Sequence, residues 1–137
     1  MSDWRFIFSY GSNGRGILQL RQIEGAIFSF EARTGSIDSN GRLVNVIAPG
    51  RAWSVKDLPV ETNESGMRTN GIIGYKVRLY DECKYTNYLI HYDEKLNGTR
   101  GCIGLQKVED TLQVMTMIRA ILIEDNKPIP ILIERIK

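Results

Sequence analysis

Histidine and cysteine are scarce in this chain: there is one histidine, His91, and there are two cysteines, Cys83 and Cys102. Two thiols and one imidazole leave a tetrahedral zinc site a ligand short, and no C-x-x-C spacing is present, so no metal and no other cofactor is expected. A single disulfide is the most the chain can form, and nothing in the spacing requires it. A long apolar run is also missing. Crossing a bilayer as a helix takes about 20 such residues, so no membrane partner is expected. Residues 1–10 make no signal peptide, because Asp3 and Arg5 flank only Phe6-Ile7-Phe8 and no small-residue cleavage site follows. The expectation is a product synthesised in the cytoplasm without a signal peptide. A surplus of one charge is lacking too. The formal net charge is +2 and the basic residues are scattered, which excludes a nucleic-acid surface.

What is present is ordinary globular composition, 42% hydrophobic and 25% charged over 137 residues, enough chain to bury a core without disulfide staples. No repeat, low-complexity stretch or composition shift divides it, so residues 1–137 read as a single domain. Residues 4–10 predict a strand, broken by Gly11-Ser12-Asn13-Gly14. Residues 17–23 predict a second, with Leu18 and Leu20 on one face, and Glu24-Gly25 turns the chain into a hairpin partner over residues 26–32. Further strands are predicted over residues 43–47, 52–55, 72–79 and 85–92. The polar stretch 57–71 reads as a long loop, which in a compact domain is functional or disordered.

The period then changes. Val108, Leu112, Met115, Ile118 and Leu122 recur at helical spacing, and residues 114–123 read as helix core. Asp110 with Gln113 three residues on has the form of an N-terminal cap. A helix is predicted over residues 111–123, ended by Asn126-Lys127-Pro128, with a last strand through Ile129, Ile131 and Ile133. The expected fold is mainly β: a compact sandwich or barrel with one α-helix in the C-terminal half.

Chemistry concentrates in one segment. His91 ends a predicted strand, and Cys102 follows in Gly98-Thr99-Arg100-Gly101-Cys102-Ile103-Gly104-Leu105. A strand end followed by a short connection can bring a thiol back to an imidazole, and that pair is a nucleophile with its general base. The surrounding glycines allow close backbone approach to a substrate and inward-facing N–H groups. Taken singly, a histidine in a strand is ordinarily a hydrogen-bonded core residue and a cysteine a small hydrophobe. Their joint spacing is what favours catalysis. Cys83 has no such context and reads as structural. Arg100, Lys95 and Arg68 are candidates for holding substrate carboxylates, although solvated surface charge explains Lys95 and Arg68 equally well. Tyr88 and Tyr92 flank His91, the first as core and the second as core or substrate contact. Trp4 and Trp53 read as core or rim, and Asp93-Glu94 as a solvated turn.

Leu89-Ile90-His91 followed by Gly98-Thr99-Arg100-Gly101-Cys102-Ile103-Gly104-Leu105 resembles the signature of L,D-transpeptidase (YkuD-type) catalytic domains. It is most similar to the short variants of bacteriophage proteins and type VI secretion effectors. Ile47-Ala48-Pro49-Gly50-Arg51-Ala52-Trp53 looks like that family's Ile-Pro-x-Gly-x-Tyr segment. Larger members read Ser-His-Gly-Cys and then Ile/Val-Arg, where this chain has Arg100 and Gly104. The resemblance implies an L,D-transpeptidase-like fold and a cysteine acyltransferase or peptidase acting on peptidoglycan stem peptides. In it, Cys102 attacks the stem carbonyl and His91 takes the thiol proton. Thr99 and the Gly101 and Cys102 N–H groups support the oxyanion, and Arg100 and Tyr92 bind substrate. It also implies action in the periplasm or cell wall after delivery or lysis, with delivery machinery or an immunity protein as further partners. Two alternatives stay open: a non-catalytic cell-wall-binding or assembly protein, and a cysteine amidase or endopeptidase cutting another bond of the polymer.

Overall fold

The computed structural model describes residues 3–96 and 98–136. The strands are β1 (Trp4–Tyr10), β2 (Arg15–Gln22), β3 (Ile27–Arg33), β4 (Ser36–Ile37), β5 (Leu43–Val44) and β6 (Gly50–Val55). They continue with β7 (Val60–Thr62), β8 (Gly74–Asp81), β9 (Lys84–Tyr92), β10 (Ile103–Leu105) and β11 (Ile129–Arg135); the helix α1 (Val108–Asp125) lies between the last two.

The protein is mainly β, and eight of the strands close a barrel in the order β6-β11-β1-β2-β3-β10-β9-β8. Closure is made by β8 returning to β6 through Trp53 opposite Asp81 and Ser54 opposite Tyr80. Closing the sheet leaves no exposed edge on those strands. β7 adds outside the ring, along β8, and β4 pairs only with β5. Within the ring every neighbour is antiparallel except β1 with β11 and β9 with β10.

Alternation explains the interior. Phe6 and Phe8 of β1 stand opposite Leu20 and Leu18 of β2, and Leu18 faces Phe30 of β3. All five are buried with Ile90, Ile103, Leu105, Ile129, Ile131 and Ile133 in one cluster. Successive residues of a strand face opposite sides, so the same strands turn their alternate residues outward. α1 packs on β8, β9 and β10. It buries Thr111, Val114, Met115, Ile118, Ile121 and Leu122.

Several sequence expectations need correction. The helix begins at Val108, and its N-cap is Lys107, extended and without a side-chain cap bond; Asp110 lies inside the first turn instead of capping it. Of the expected stripe, Met115, Ile118 and Leu122 are buried, joined by Thr111, Val114 and Ile121, while Leu112 and Ile123 are 42% and 66% exposed. The strand over 43–47 stops at Val44, because Asn45 takes a left-handed conformation (φ 57°) that no strand continues. β10 has no counterpart in the expected strands: three residues carry too little alternation to read. Among the described residues, no helix is long and apolar enough to cross a membrane.

The interior assignment is testable by denaturant unfolding. Leu20→Ala removes a fully buried side chain and should cost about 2–5 kcal/mol. Ile123→Ala on the exposed helix face should stay within about 0.5 kcal/mol. Similar losses for the two would contradict the barrel core.

Candidate functional site

Ile103 of β10 pairs in parallel register with Ile90 of β9, and both are fully buried. Leu89, His91 and Asp93 therefore face the other way, off the outer wall of the barrel. Cys102, one residue before Ile103, falls beside Leu89, and the Leu89 N–H donates to its Sγ at 3.3 Å. Thiol and imidazole are thus diagonal neighbours on one outer face. They line a common cleft of about 580 Å³ with Ser36, Glu64, Met67, Asp93, Lys95, Thr99 and Arg100.

The imidazole is oriented by its own strand. His91 Nδ1 lies 2.6 Å from the carbonyl oxygen of Tyr92. A carbonyl can only accept, so the proton resides on Nδ1, and Nε2 keeps its lone pair. That is the tautomer of a general base. Burial holds the imidazole below its usual value; donation to Tyr92 and the charges of Asp93 and Glu64 work against this, and Lys76 adds to it. Burial also pushes the Cys102 thiol up, opposed by the Leu89 N–H and the Arg78 charge and reinforced by Glu64. Both shifts favour the uncharged form of each group, a thiol and a neutral imidazole, over an ion pair.

The segment before the cysteine is anchored through Gly98, Thr99 and Gly101. Thr99 N–H donates to the Gly35 carbonyl at 2.8 Å, and Gly35 N–H donates to Thr99 Oγ1. The Thr99 hydroxyl donates to the Cys102 carbonyl at 2.7 Å, so it clamps the backbone at Cys102. Gly101 tolerates no side chain. Its φ is 76°, and a Cβ there would sit 2.4 Å from the Tyr88 ring, which itself packs on Trp53. At Gly98 (φ 102°) a Cβ would meet the Gly35 carbonyl at 2.2 Å. The close approaches that the sequence suggested for a substrate are thus made to the protein itself.

Further expectations change here. The Gly101 N–H donates to the Asn45 carbonyl, so it is engaged and cannot serve an oxyanion. The Tyr92 side chain is not among those lining the cleft; its contribution is the carbonyl on His91. Asp93-Glu94 is no solvated turn. Asp93 is 2% exposed, and its carboxylate accepts from the Gly98 N–H and from Gln106 Nε2. Glu94 Oε1 accepts from the Gly66 and Arg68 N–H groups and from Arg68 Nε, which fixes the long polar loop against β9 and leaves Arg68 paired. Arg33, buried, donates to the Leu96 carbonyl beneath the same connection. Cys83 is exposed at the β8–β9 turn with φ 65° and has no place in the core. Arg100 and Lys95 do line the cleft and are exposed. Glu64, which no motif marks, lines it as well. Its signal was only its place in a long irregular loop.

The two thiols should separate by alkylation at neutral pH. The exposed Cys83 should react with iodoacetamide first, and Cys102, buried and protonated, should react slowly until the pH is raised. Peptide mass mapping reads the order, and faster labelling of Cys102 at neutral pH would contradict the neutral pair. Compared with family models, with curated proteins and with solved structures, the chain matches none of them.

Proposed function

We propose that this protein is a cysteine acyltransferase or peptidase acting on peptidoglycan stem peptides, an L,D-carboxypeptidase or L,D-transpeptidase of the kind its His91-to-Cys102 motif resembles. The observation that carries the reading is the pair itself: a buried thiol and an imidazole with its Nε2 lone pair free, on one face of one cleft. Cys102 Sγ attacks the carbonyl of the third stem residue as Nε2 takes the thiol proton. The C–N bond to the terminal D-alanine then breaks, and His91 returns that proton to the leaving amine. Water resolves the thioester in hydrolysis, and an amine resolves it in transfer or exchange. The Leu89 N–H stabilises negative charge on sulfur, which compensates part of the burial. Arg100 and Lys95, exposed in the cleft, are the cations available to stem carboxylates. The cell-wall substrate lies outside the cytoplasm, so the reading places the activity in the periplasm or cell wall.

The test is incubation with disaccharide-tetrapeptide, with and without excess D-amino acid, read by mass spectrometry. Tripeptide product indicates hydrolysis, an exchanged fourth residue indicates transfer, and release of the whole stem would indicate an amidase instead. Cys102→Ala and His91→Ala should each lower turnover by several orders of magnitude, with the double variant little worse, because the pair acts as a unit. Full activity in Cys102→Ala would end the reading, and binding without turnover in the wild type would favour a non-catalytic wall-binding protein.

The pH profile follows from the depressed imidazole. His91 must be neutral to accept the proton, and burial makes it lose its own more readily than a free histidine. The acid limb of kcat/KM should therefore lie below the ordinary histidine value of about 6.5. An acid limb at or above that value would contradict the buried-base assignment.

A further inference from the structure

Beside the cleft, on the same outer face, lies a second and smaller groove of about 270 Å³, whose walls include Lys76, Arg78, Tyr85 and Leu89. Antiparallel pairing of β8 with β9 sets Lys76 opposite His91 and Arg78 opposite Leu89. The outer wall therefore holds two rows. One runs Arg78, Leu89, Cys102, and the other runs Lys76, His91. Leu89 divides the groove from the thiol.

The charged groups of the groove differ in their commitments. Asp57 accepts from the Tyr80 hydroxyl at 2.5 Å. Arg78 donates to the Thr86 carbonyl at 2.7 Å and lies over the Tyr85 ring. Lys76 is half-buried, and among the described residues no hydrogen bond or ion pair engages its ammonium. An unpaired cation with part of its hydration removed is a standing demand for an anion.

Resting on the acyl-transfer reading above, we propose that this groove binds the free α-carboxylate of the residue leaving Cys102's substrate, with the Lys76 ammonium as its counter-ion. The geometry of proton transfer places it there. The leaving amine must come within hydrogen-bond reach of His91 Nε2 to receive its proton. The α-carboxylate of that same residue is separated from the amine only by the α-carbon. Side chains directly opposite across an antiparallel pair have Cβ atoms about 4.5–5.5 Å apart, and a lysine arm easily spans the remainder. The ligand class is thus an amino acid with a free C-terminal carboxylate, one residue beyond the attacked carbonyl. The same cation would hold the carboxylate of an incoming amino acid in exchange. The consequence is exo-specificity: a chain that continues beyond the leaving residue has no carboxylate to offer there.

The experiment compares a stem tetrapeptide ending in the free acid with the same peptide ending in the amide. In wild type the acid should be preferred by about ten- to hundredfold in kcat/KM, the scale of one charge-assisted hydrogen bond. Lys76→Met should collapse that preference toward unity, and Lys76→Arg should restore part of it. A lysine that only tunes His91 would change both substrates in proportion and leave the ratio intact, which would overturn the proposal. So would a wild type that cleaves acid and amide alike, a comparison independent of whether any variant folds. Turnover that depends on Cys102 but shows no carboxylate preference overturns this proposal alone. Absence of turnover in the wild type overturns the acyl-transfer reading and this one with it.

Discussion

Parallel strands cannot be joined by a tight turn, and β9 and β10 are parallel neighbours. Such a connection ordinarily takes about a dozen residues or more and a helix. Here ten residues, 93–102, make it without one. A connection this short must double back over the barrel wall, and its polar groups need partners as it does so. Asp93 holds Gly98 and Gln106, Thr99 pairs with Gly35, Arg33 reaches Leu96, and Gly101 settles on Asn45. The register Ile90 to Ile103 is the outcome. It delivers Cys102 beside Leu89 and diagonal to His91.

The same wall arranges the charges. β8 contributes Lys76 and Arg78 on one side of the pair, and the loop pinned by Glu94 brings Glu64 to the other. Both reactive groups are buried between them. Desolvation acts in opposite directions on an acid and on a base, raising the thiol and lowering the imidazole, so it favours the uncharged form of each. The consequence is a resting site without an internal ion pair. In the acyl transfer proposed here, the thiolate would form only within the encounter with substrate.

Several polar residues that look like surface in the sequence are structural parts of the site. Asp93 and Glu94 have the composition of a solvated turn, yet one is buried and the other gathers three donors from a loop some thirty residues earlier. Arg68 looks available to a ligand and is paired with Glu94. For Glu94 and Arg68 the deciding partner is distant in the chain, and residue type carries no record of it. The glycines around Cys102 were readable as close approaches, but only the folded chain reveals that Tyr88 and the Gly35 carbonyl are what they approach.

The amino-acid sequence by itself determined the mainly β class, most strands and the presence and end of the helix, and it marked His91 and Cys102 as the candidate pair. These are local: alternation, helical period, turn chemistry and the spacing within one short segment are all carried by neighbours along the chain. Only the tertiary structure decided that the sheet closes through β6 and β8, that three residues at Ile103–Leu105 form a wall strand, and that the Gly101 N–H is engaged. It alone put Lys76 opposite His91. Strand register joins residues far apart in the chain. Sliding one strand by a single residue would exchange its inner and outer faces, so the partners of each side chain exist only once every neighbouring strand is in place.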